Sequence, residues 1–270
     1  MRRYLSQSLK LPINSIRVKA TKIGGGFGGK LELLVEPYAV LLARKCGRPV
    51  QIVYPRDEEF LATTPRHKTY FWVKSGVKKD GTLVARHARF IYDTGAYSGN
   101  GPTTVTLSAQ LISGLYRIPN LFIDGYCVYT NKMNCGSMRG PSGPQTTFAM
   151  ESHMDNLAHK IGMDPLDFRL KNFLEKGEKT GVGQTLVDVD YKKAVREAAE
   201  KAGWRTIKTG KNVGKGMACI FWLSGGWSTS ATVNINEDGT VNLVTGAVDM
   251  GTGYLYTSVP QIVAHELGLR

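Results

Sequence analysis

The chain offers little cysteine chemistry. Its 4 cysteines, Cys46, Cys127, Cys135 and Cys219, include no C-x-x-C pair. That spacing excludes a zinc ribbon, an iron–sulfur site or a redox dithiol within the chain. A disulfide framework is equally out of place at 270 residues, so buried free thiols are expected. No uninterrupted apolar run approaches the roughly 20 residues of a membrane span. Met1-Arg2-Arg3 continues into Tyr4-Leu5-Ser6-Gln7, too polar for a secretory core segment; the twin arginine is a weak export signal and the cytoplasm is the default compartment. Acidic residues are also few, 22 against 35 Lys and Arg, for a net charge of +13. The excess is confined to residues 1–90, with 18 basic against 6 acidic side chains, while residues 91–270 carry 17 against 16. A basic lobe suits an anionic cofactor or an acidic partner subunit, or is a solvated face. No RNA-binding aromatic motif or zinc-finger spacing accompanies it, so nucleic acid is the least favoured partner.

What the chain has instead is glycine, 31 residues of it, concentrated in Gly24-Gly25-Gly26-Phe27-Gly28-Gly29-Lys30. Each glycine in regular structure costs about 1 kcal/mol relative to alanine, so this run implies backbone close to a ligand or at positive φ. Gly24 to Lys30 fits the first seven positions of the phosphate loop G-x-x-x-x-G-K-[ST], but Leu31 stands where the Mg²⁺-binding hydroxyl belongs. Gly24, Gly26 and Gly29 also satisfy G-x-G-x-x-G after an expected strand, Ile16 to Ile23. A dinucleotide site then requires an acidic residue about 20 positions on, and none lies between Glu36 and Asp57. Both templates need a helix opening directly from the loop, whereas Pro37 places the helix start near Glu36. The nucleotide reading, with Gly24–Lys30 as a phosphate loop, stays open as the alternative.

Along the chain, residues 4–10 and 36–46 read as helices, the second closed by Gly47, with a short strand at Val50–Tyr54. Residues 69–77 and 82–92 form a hairpin around Lys79-Asp80-Gly81. Asp93 to Gly99 breaks regular structure, a helix runs to Ser113, and Leu121–Thr130 is a strand. From Pro144 the pattern is helical: Met150, Met154, Leu157, Ala158 and Ile161 recur at 3.6-residue spacing as a buried stripe, its methionines core filler. His153 and His159, six apart, share no helical face and read as structural. Asp164-Pro165 caps and starts a helix to Phe173. Residues 175–187 are the linker candidate, dividing the chain into 1–174 and 188–270. A helix from Asp190 to Ala202 follows, then strands at 215–223, 229–236 and 240–246 and a helix at 255–267. This mixed order predicts an α+β fold, with mixed sheets and packed helices.

Three irregular glycine-bearing segments punctuate that framework: the heptapeptide, Met138-Arg139-Gly140-Pro141-Ser142-Gly143-Pro144-Gln145, and Asp249-Met250-Gly251-Thr252-Gly253. Each is expected to follow a strand and precede a helix, where loops leave backbone N–H groups free for a ligand. Alone each is an ordinary tight turn; together they suggest one anionic ligand gripped from several sides. The order GGGFGGK, DTGAYS (93–98), IPN (118–120), YTN (129–131), MRGPSGPQ, DPLDFRLKNF (164–173) and DMGTG resembles the molybdopterin-binding large subunit of the xanthine dehydrogenase/aldehyde oxidase family, from about Ser6 to the last residue.

That resemblance implies a molybdenum ion held by a pterin dithiolene, in bacteria usually the cytosine dinucleotide form, and hydroxylation of a carbon with water-derived oxygen. Electrons would pass to iron–sulfur and FAD subunits or domains. Phe27 and Gly28 would offer backbone N–H groups near the metal's oxo ligand, with Gly26 and Gly29 allowing the approach. Arg139 would lie beside the metal, and Thr252, between Gly251 and Gly253, would take the place where many relatives bond the pterin through glutamine. No side chain would ligate the metal directly. The chemistry uses such donors because charge builds on oxygen as water-derived hydroxide attacks.

Departures from the family pattern concern the substrate pocket. Leu31 and Leu107 stand where xanthine-oxidising relatives carry a glutamate and an arginine, which argues against a purine, since a site built to read polar edges needs polar partners. Gly140 stands where carbon monoxide dehydrogenases carry a copper-binding cysteine, and Pro141 where an aromatic often flanks the substrate. Phe221 and Trp222 fall near a second aromatic position, ordinary core packing being the other reading. An aldehyde or aromatic heterocycle fits this set. The family's general-base glutamate is expected beyond Arg270, so the catalytic residue is expected outside this chain and the remaining part of the molybdenum subunit is an expected partner. Glu266, in an expected surface helix, is no substitute. A non-catalytic structural fragment is the remaining alternative.

Overall fold

The computed structural model describes residues 1–222 and 229–269. In chain order the elements are α1 (Arg2–Leu9), a short 3-10 turn at Ile13–Ser15, α2 (Glu36–Cys46), α3 (Arg56–Ala62), β1 (Lys68–Val77), β2 (Leu83–Gly95) and α4 (Gly101–Ser113). Then come β3 (Asn120–Tyr129), α5 (Gly143–Lys160), α6 (Pro165–Asn172), α7 (Tyr191–Lys201), β4 (Ala231–Ile235), β5 (Val241–Thr245) and α8 (Ser258–Glu266). They fall into two compact units, Leu61–Trp222 and Met1–Phe60 with Leu223–Arg270, the boundary lying within α3.

The 61–222 unit is built on a three-stranded mixed sheet, order β1-β2-β3, in which β1 pairs antiparallel and β3 parallel to β2. The expected hairpin is therefore present, and α4 is the crossover that a parallel β2–β3 pair requires. Strand alternation sends Arg86, Ala88, Phe90 and Tyr92 inward. Against them pack Ile112 of α4, Met150, Met154 and Ala158 of α5, and Phe168 of α6. The methionine stripe is core, as its spacing predicts. It has a further part: the buried Arg86 guanidinium donates to Met150 Sδ at 3.2 Å and Met154 Sδ at 3.3 Å. His153 Nε2 hydrogen-bonds Ser75 Oγ at 2.9 Å, a structural contact. Asp164 caps α6 by accepting from the Leu166 N–H at 2.7 Å.

A buried ion pair ties α5 to α6. Arg169 Nε lies 2.9 Å from Glu151 Oε2 and its Nη1 lies 2.6 Å from Asp155 Oδ1. Glu151 also accepts from the Tyr116 hydroxyl at 2.8 Å and the Cys219 N–H at 2.9 Å. Arg169 Nη2 reaches the Met217 carbonyl at 3.2 Å. These bonds explain why the described part of the expected strand 215–223 is not a strand; residue 223 lies outside the described residues. Backbone groups two residues apart are satisfied by side chains of α5 and α6 instead of a sheet neighbour.

Residues 175–187 fold back on themselves. Gly177 N–H donates to the Leu186 carbonyl at 2.7 Å, Lys179 bridges Thr185, and Glu178 pairs with Arg117 at 2.6 Å. Thr180 and Leu186 are buried.

In the other unit β4 and β5 pair antiparallel, and α2 begins at Glu36, its Oε2 accepting from the Leu34 N–H at 2.8 Å. Three sequence expectations fail. Residues 16–23 and 50–54 are not strands, since no described segment pairs with their apolar alternation. The helix α3 was not expected, although Pro55 followed by Asp57, Glu58 and Glu59 in the first turn is a start signal. The four cysteines are free, but only Cys135 is buried, and Cys46 is exposed at the end of α2. Among the described residues no helix is long and apolar enough to cross a membrane.

Candidate cofactor-binding site

The glycine heptapeptide is a loop closed by its own backbone bonds. Gly29 N–H returns to the Gly26 carbonyl at 2.9 Å and Leu31 N–H to the Gly28 carbonyl at 3.2 Å. Lys30 Nζ bonds the Ile23 carbonyl at 2.5 Å, which clasps the base of the loop. Phe27 sits at φ 50 and Gly28 at φ 95, left-handed conformations that are rare for a bulky side chain such as Phe27. Among the described residues, the N–H groups of Gly26, Phe27 and Gly28 have no acceptor. Phe27 is 59% exposed.

This geometry removes the phosphate-loop reading. Lys30 is engaged with its own loop, and the next helix begins only at Glu36, so no helix N-terminus faces the glycines. The expectation that each glycine loop follows a strand and precedes a helix holds for the Arg139 loop, between β3 and α5, and for the Asp249–Gly253 loop, between β5 and α8, but the heptapeptide follows no strand.

In the same unit, the Asp249–Gly253 loop lies against the heptapeptide. A Cβ added to Gly26 would come 3.0 Å from Met250 Sδ, and one added to Gly251 would lie 4.0 Å from Gly25 N. The two loops border an open cleft of ≈ 600 Å³ lined by Lys22, Ile23, Gly24, Asp249, Gly251 and Tyr256. Asp249 was missed in the sequence, and it organises this loop. Its Oδ1 accepts from Gly251 N–H at 2.8 Å, Gly253 N–H at 3.1 Å and Thr252 Oγ1 at 3.4 Å. Those bonds, the Gly251 N–H first, lower its pKa. The donors of Gly251, Thr252 and Gly253 thus converge on one carboxylate oxygen, where an anion is favoured. An aspartate directly before G-x-G is the signal that could have found it.

The third loop belongs to the 61–222 unit. Ser142, at φ 60, stands at the N-cap position of α5 without a side-chain capping bond, and Gly143 N–H closes a turn onto the Gly140 carbonyl at 2.9 Å. Arg139 is exposed and Pro141 half-buried. Trp222 packs on this loop, since a Cβ at Gly143 would meet its ring at 2.9 Å and one at Gly140 would meet it at 3.8 Å. Phe221 points elsewhere: it packs on the core near Gly114 and Tyr116. Leu107 is half-buried on α4, and Leu31, in the other unit, is 54% exposed at the end of the glycine loop.

Asp93, from the DTGAYS segment, lies within β2 rather than after it and holds the chain that leaves β3. Its carboxylate accepts from Lys132 Nζ at 2.6 Å, Thr130 Oγ1 at 2.5 Å and Gly95 N–H at 3.0 Å. Cys135 N–H follows onto the Thr94 carbonyl at 2.9 Å. The Lys132 and Thr130 bonds hold the Asp93 pKa at about 2, below the ordinary 3.8. The folded state therefore binds this proton less readily than the unfolded chain. The stabilisation is complete above the ordinary 3.8 and lost as pH falls through about 2. Because Lys132 is well exposed, we expect about 1 kcal/mol rather than the full linkage value. Asp93→Asn should lower stability at neutral pH and flatten its slope between these two pH values, measured by urea denaturation. An unchanged slope would show that the carboxylate carries no such linkage.

Comparison with known proteins agrees with this geometry. Residues 1–173 and 184–270 each match the molybdopterin cofactor-binding domain family. The chain belongs to that family. A probable xanthine dehydrogenase subunit from Bacillus subtilis is 34% identical over 274 residues, covering 98% of this chain and 36% of the relative. The nicotinate dehydrogenase large molybdopterin subunit of Eubacterium barkeri is 37% identical over 195 residues, covering 72% of the chain and 46% of the relative. The solved aldehyde oxidoreductase of Desulfovibrio gigas superposes with a TM-score of 0.74 at 29% identity, over 90% of this chain and 28% of that one. The chain thus spans between about a third and a half of the length of the two relatives matched by sequence.

The residues present fit a molybdopterin. Its metal is held through the pterin, so a protein site needs outward donors rather than side-chain ligands. The Gly26, Phe27 and Gly28 N–H groups have no acceptor among the described residues, and a side chain at Gly26 would press on Met250.

Proposed function

We propose that this chain is the cofactor-gripping portion of a molybdenum hydroxylase acting on an aldehyde or an aromatic heterocycle. The observation that carries the reading is the row of acceptor-free N–H groups at Gly26, Phe27 and Gly28, in a loop with left-handed backbone at Phe27 and Gly28 and the Lys30 clasp at its base. A bound molybdopterin, proposed in its cytosine dinucleotide form, would supply the two-electron redox centre and the Lewis acidity that activates water. The residues named here bind and orient. The Gly26–Gly28 donors stabilise negative charge on oxygen in a place fixed before reaction. Arg139 adds positive charge, and Gly29 lets the loop close.

Gly251, Thr252 and Gly253 hold the pterin side once Asp249 exchanges its bonds for those of the ligand. Leu31, Leu107, Pro141, Phe221 and Trp222 are proposed for the substrate pocket. The leucines offer no hydrogen bond to a purine edge, which supports an apolar substrate. Of these, Trp222 has the strongest support, since it packs on the Arg139 loop, whereas Phe221 packs on the core. The general base is proposed to be a glutamate outside residues 1–270. Iron–sulfur and FAD subunits, the rest of the molybdenum subunit and a cytoplasmic location complete the proposal. The paired family matches support a division of cofactor-binding segments into 1–174 and 188–270 around 175–187.

Metal and pterin analysis of the complete molybdenum subunit tests this. About one molybdenum and one pterin per subunit are expected, with no heat on titration of the chain with ATP or NAD. A complete, folded assembly that carries neither metal nor pterin would overturn the reading in favour of a structural role.

A further inference from the structure

The Arg139 loop is held from beneath by a residue that no sequence motif picks out. Arg66 Nη2 donates to the Arg139 carbonyl at 2.8 Å, and Nη1 donates to Gln145 Oε1 at 3.0 Å and the Gly140 carbonyl at 3.4 Å. Gln145 is oriented in turn by its Nε2, which donates to the His67 carbonyl at 3.3 Å. The guanidinium is itself carried on a fixed rail. Gly136 N–H bonds the Pro65 carbonyl at 3.0 Å, and Arg66 bridges Gly136 in parallel. A side chain at position 136 would collide with Thr64 Oγ1 at 2.4 Å, so the two backbones approach closely only because that residue is glycine.

These contacts fix a direction as well as a position. There is no cis peptide among the described residues, so the N–H of a peptide points opposite to its C=O. With the Arg139 carbonyl drawn onto Arg66, the N–H of the same peptide, that of Gly140, faces away from the guanidinium. It has no acceptor among the described residues. Gly140 permits the arrangement because its φ of 67 is left-handed. A planar fork spanning several acceptors is a task for arginine; a lysine ammonium reaches one of them as a point charge.

We propose that Arg66 is the positioning residue of the Arg139 loop, setting the Arg139–Gly140 peptide so that the Gly140 N–H is presented as a donor to the bound cofactor or its reacting oxygen. This rests on the cofactor-binding reading for what the donor meets, but the clamp itself is a property of the chain. Amide hydrogen exchange by mass spectrometry on the chain compares wild type with Arg66→Ala and Arg66→Lys. Losing charge-assisted bonds to two carbonyls should raise exchange at the Gly143 amide, which closes the turn onto Gly140, at least about tenfold in Arg66→Ala. Peptides from the middle of α5 should be unchanged, and Arg66→Lys should restore less than half of the protection. Unchanged loop exchange in Arg66→Ala, an equal rise throughout 61–222, or full rescue by lysine would each overturn the clamp.

In the complete molybdenum subunit, Arg66→Ala should lower kcat at least about fivefold with molybdenum content and KM little changed, since a donor used in the transition state is what has moved. A changed KM at constant kcat would overturn the assignment of the donor to the reacting centre. A subunit without molybdenum would overturn the cofactor reading while the exchange result still judged the clamp.

Discussion

Glu151→Ala should destabilise the 61–222 unit by about 3–5 kcal/mol, the range for removing one partner of a buried ion pair. Glu151 is 5% exposed and Arg169 is fully buried, so water cannot replace the lost carboxylate at either. The substitution strands the Arg169 Nε and leaves the Tyr116 hydroxyl and the Cys219 N–H without an acceptor. Burial opposes the Arg169 charge, while Tyr116, Glu151 and Asp155 together hold its pKa above the ordinary value. Those groups are what keep the cation tolerable in the core. Glu151→Gln should cost less, because an amide oxygen in the place of Oε2 still accepts from Arg169 Nε and the Cys219 N–H while the NH2 in the place of Oε1 donates to the Tyr116 hydroxyl oxygen. Urea denaturation gives the difference, and exchange at the Cys219 amide reports the local loss. A penalty below about 1 kcal/mol for alanine would mean that the site relaxes around Arg169, and the pair would be no more than a neutral hydrogen bond in effect. The prediction bears on function too, since the same carboxylate anchors the segment that delivers Trp222 to the Arg139 loop.

Gly28→Val should leave the fold nearly intact and remove the cofactor. A β-branched residue at the φ of 95 found there is strained, by about 1–3 kcal/mol for a sparsely populated backbone region. The loop relieves that strain by rotating its peptides, which turns the Phe27 and Gly28 N–H groups away from the ligand. Loss of one hydrogen bond to a charged group is worth about 1.5–3 kcal/mol, so molybdenum content of the complete subunit should fall at least tenfold. Gly210→Ala is the matching control, because an added Cβ there meets nothing within 4 Å. Thermal unfolding should separate the two effects. Full molybdenum occupancy in a folded Gly28→Val subunit would remove this loop from the cofactor site.

The elements legible in the sequence were those fixed by local chemistry. The Asp164-Pro165 cap, the Glu36 start and Gly47 stop of α2, and the methionine stripe of α5 each depend on residues within a turn or two. The hairpin around Lys79-Asp80-Gly81 was equally local. Residues 16–23, 50–54 and 215–222 have the alternation of strands and are none. A strand exists only where a neighbour supplies hydrogen bonds, and at 217 and 219 Arg169 and Glu151 supply them instead. The parallel pairing of β3 with β2 was likewise invisible, because partner choice is a long-range property.

The same division runs through the candidate site. By itself the sequence determined that three glycine loops exist, and that Leu31 and the absent acidic residue weaken a nucleotide site. It also determined which family their order resembles, because glycine, proline and acidic side chains act on the backbone beside them. Only the tertiary structure decided where the donors point. Lys30 turns back onto Ile23, Asp249 gathers Gly251, Thr252 and Gly253, Met250 closes on Gly26, and Arg66 reaches across 73 residues to the Arg139 carbonyl. The direction of an N–H is set by what holds the carbonyl on the other side of its peptide. For the Arg139 loop, that holder lies on a distant segment.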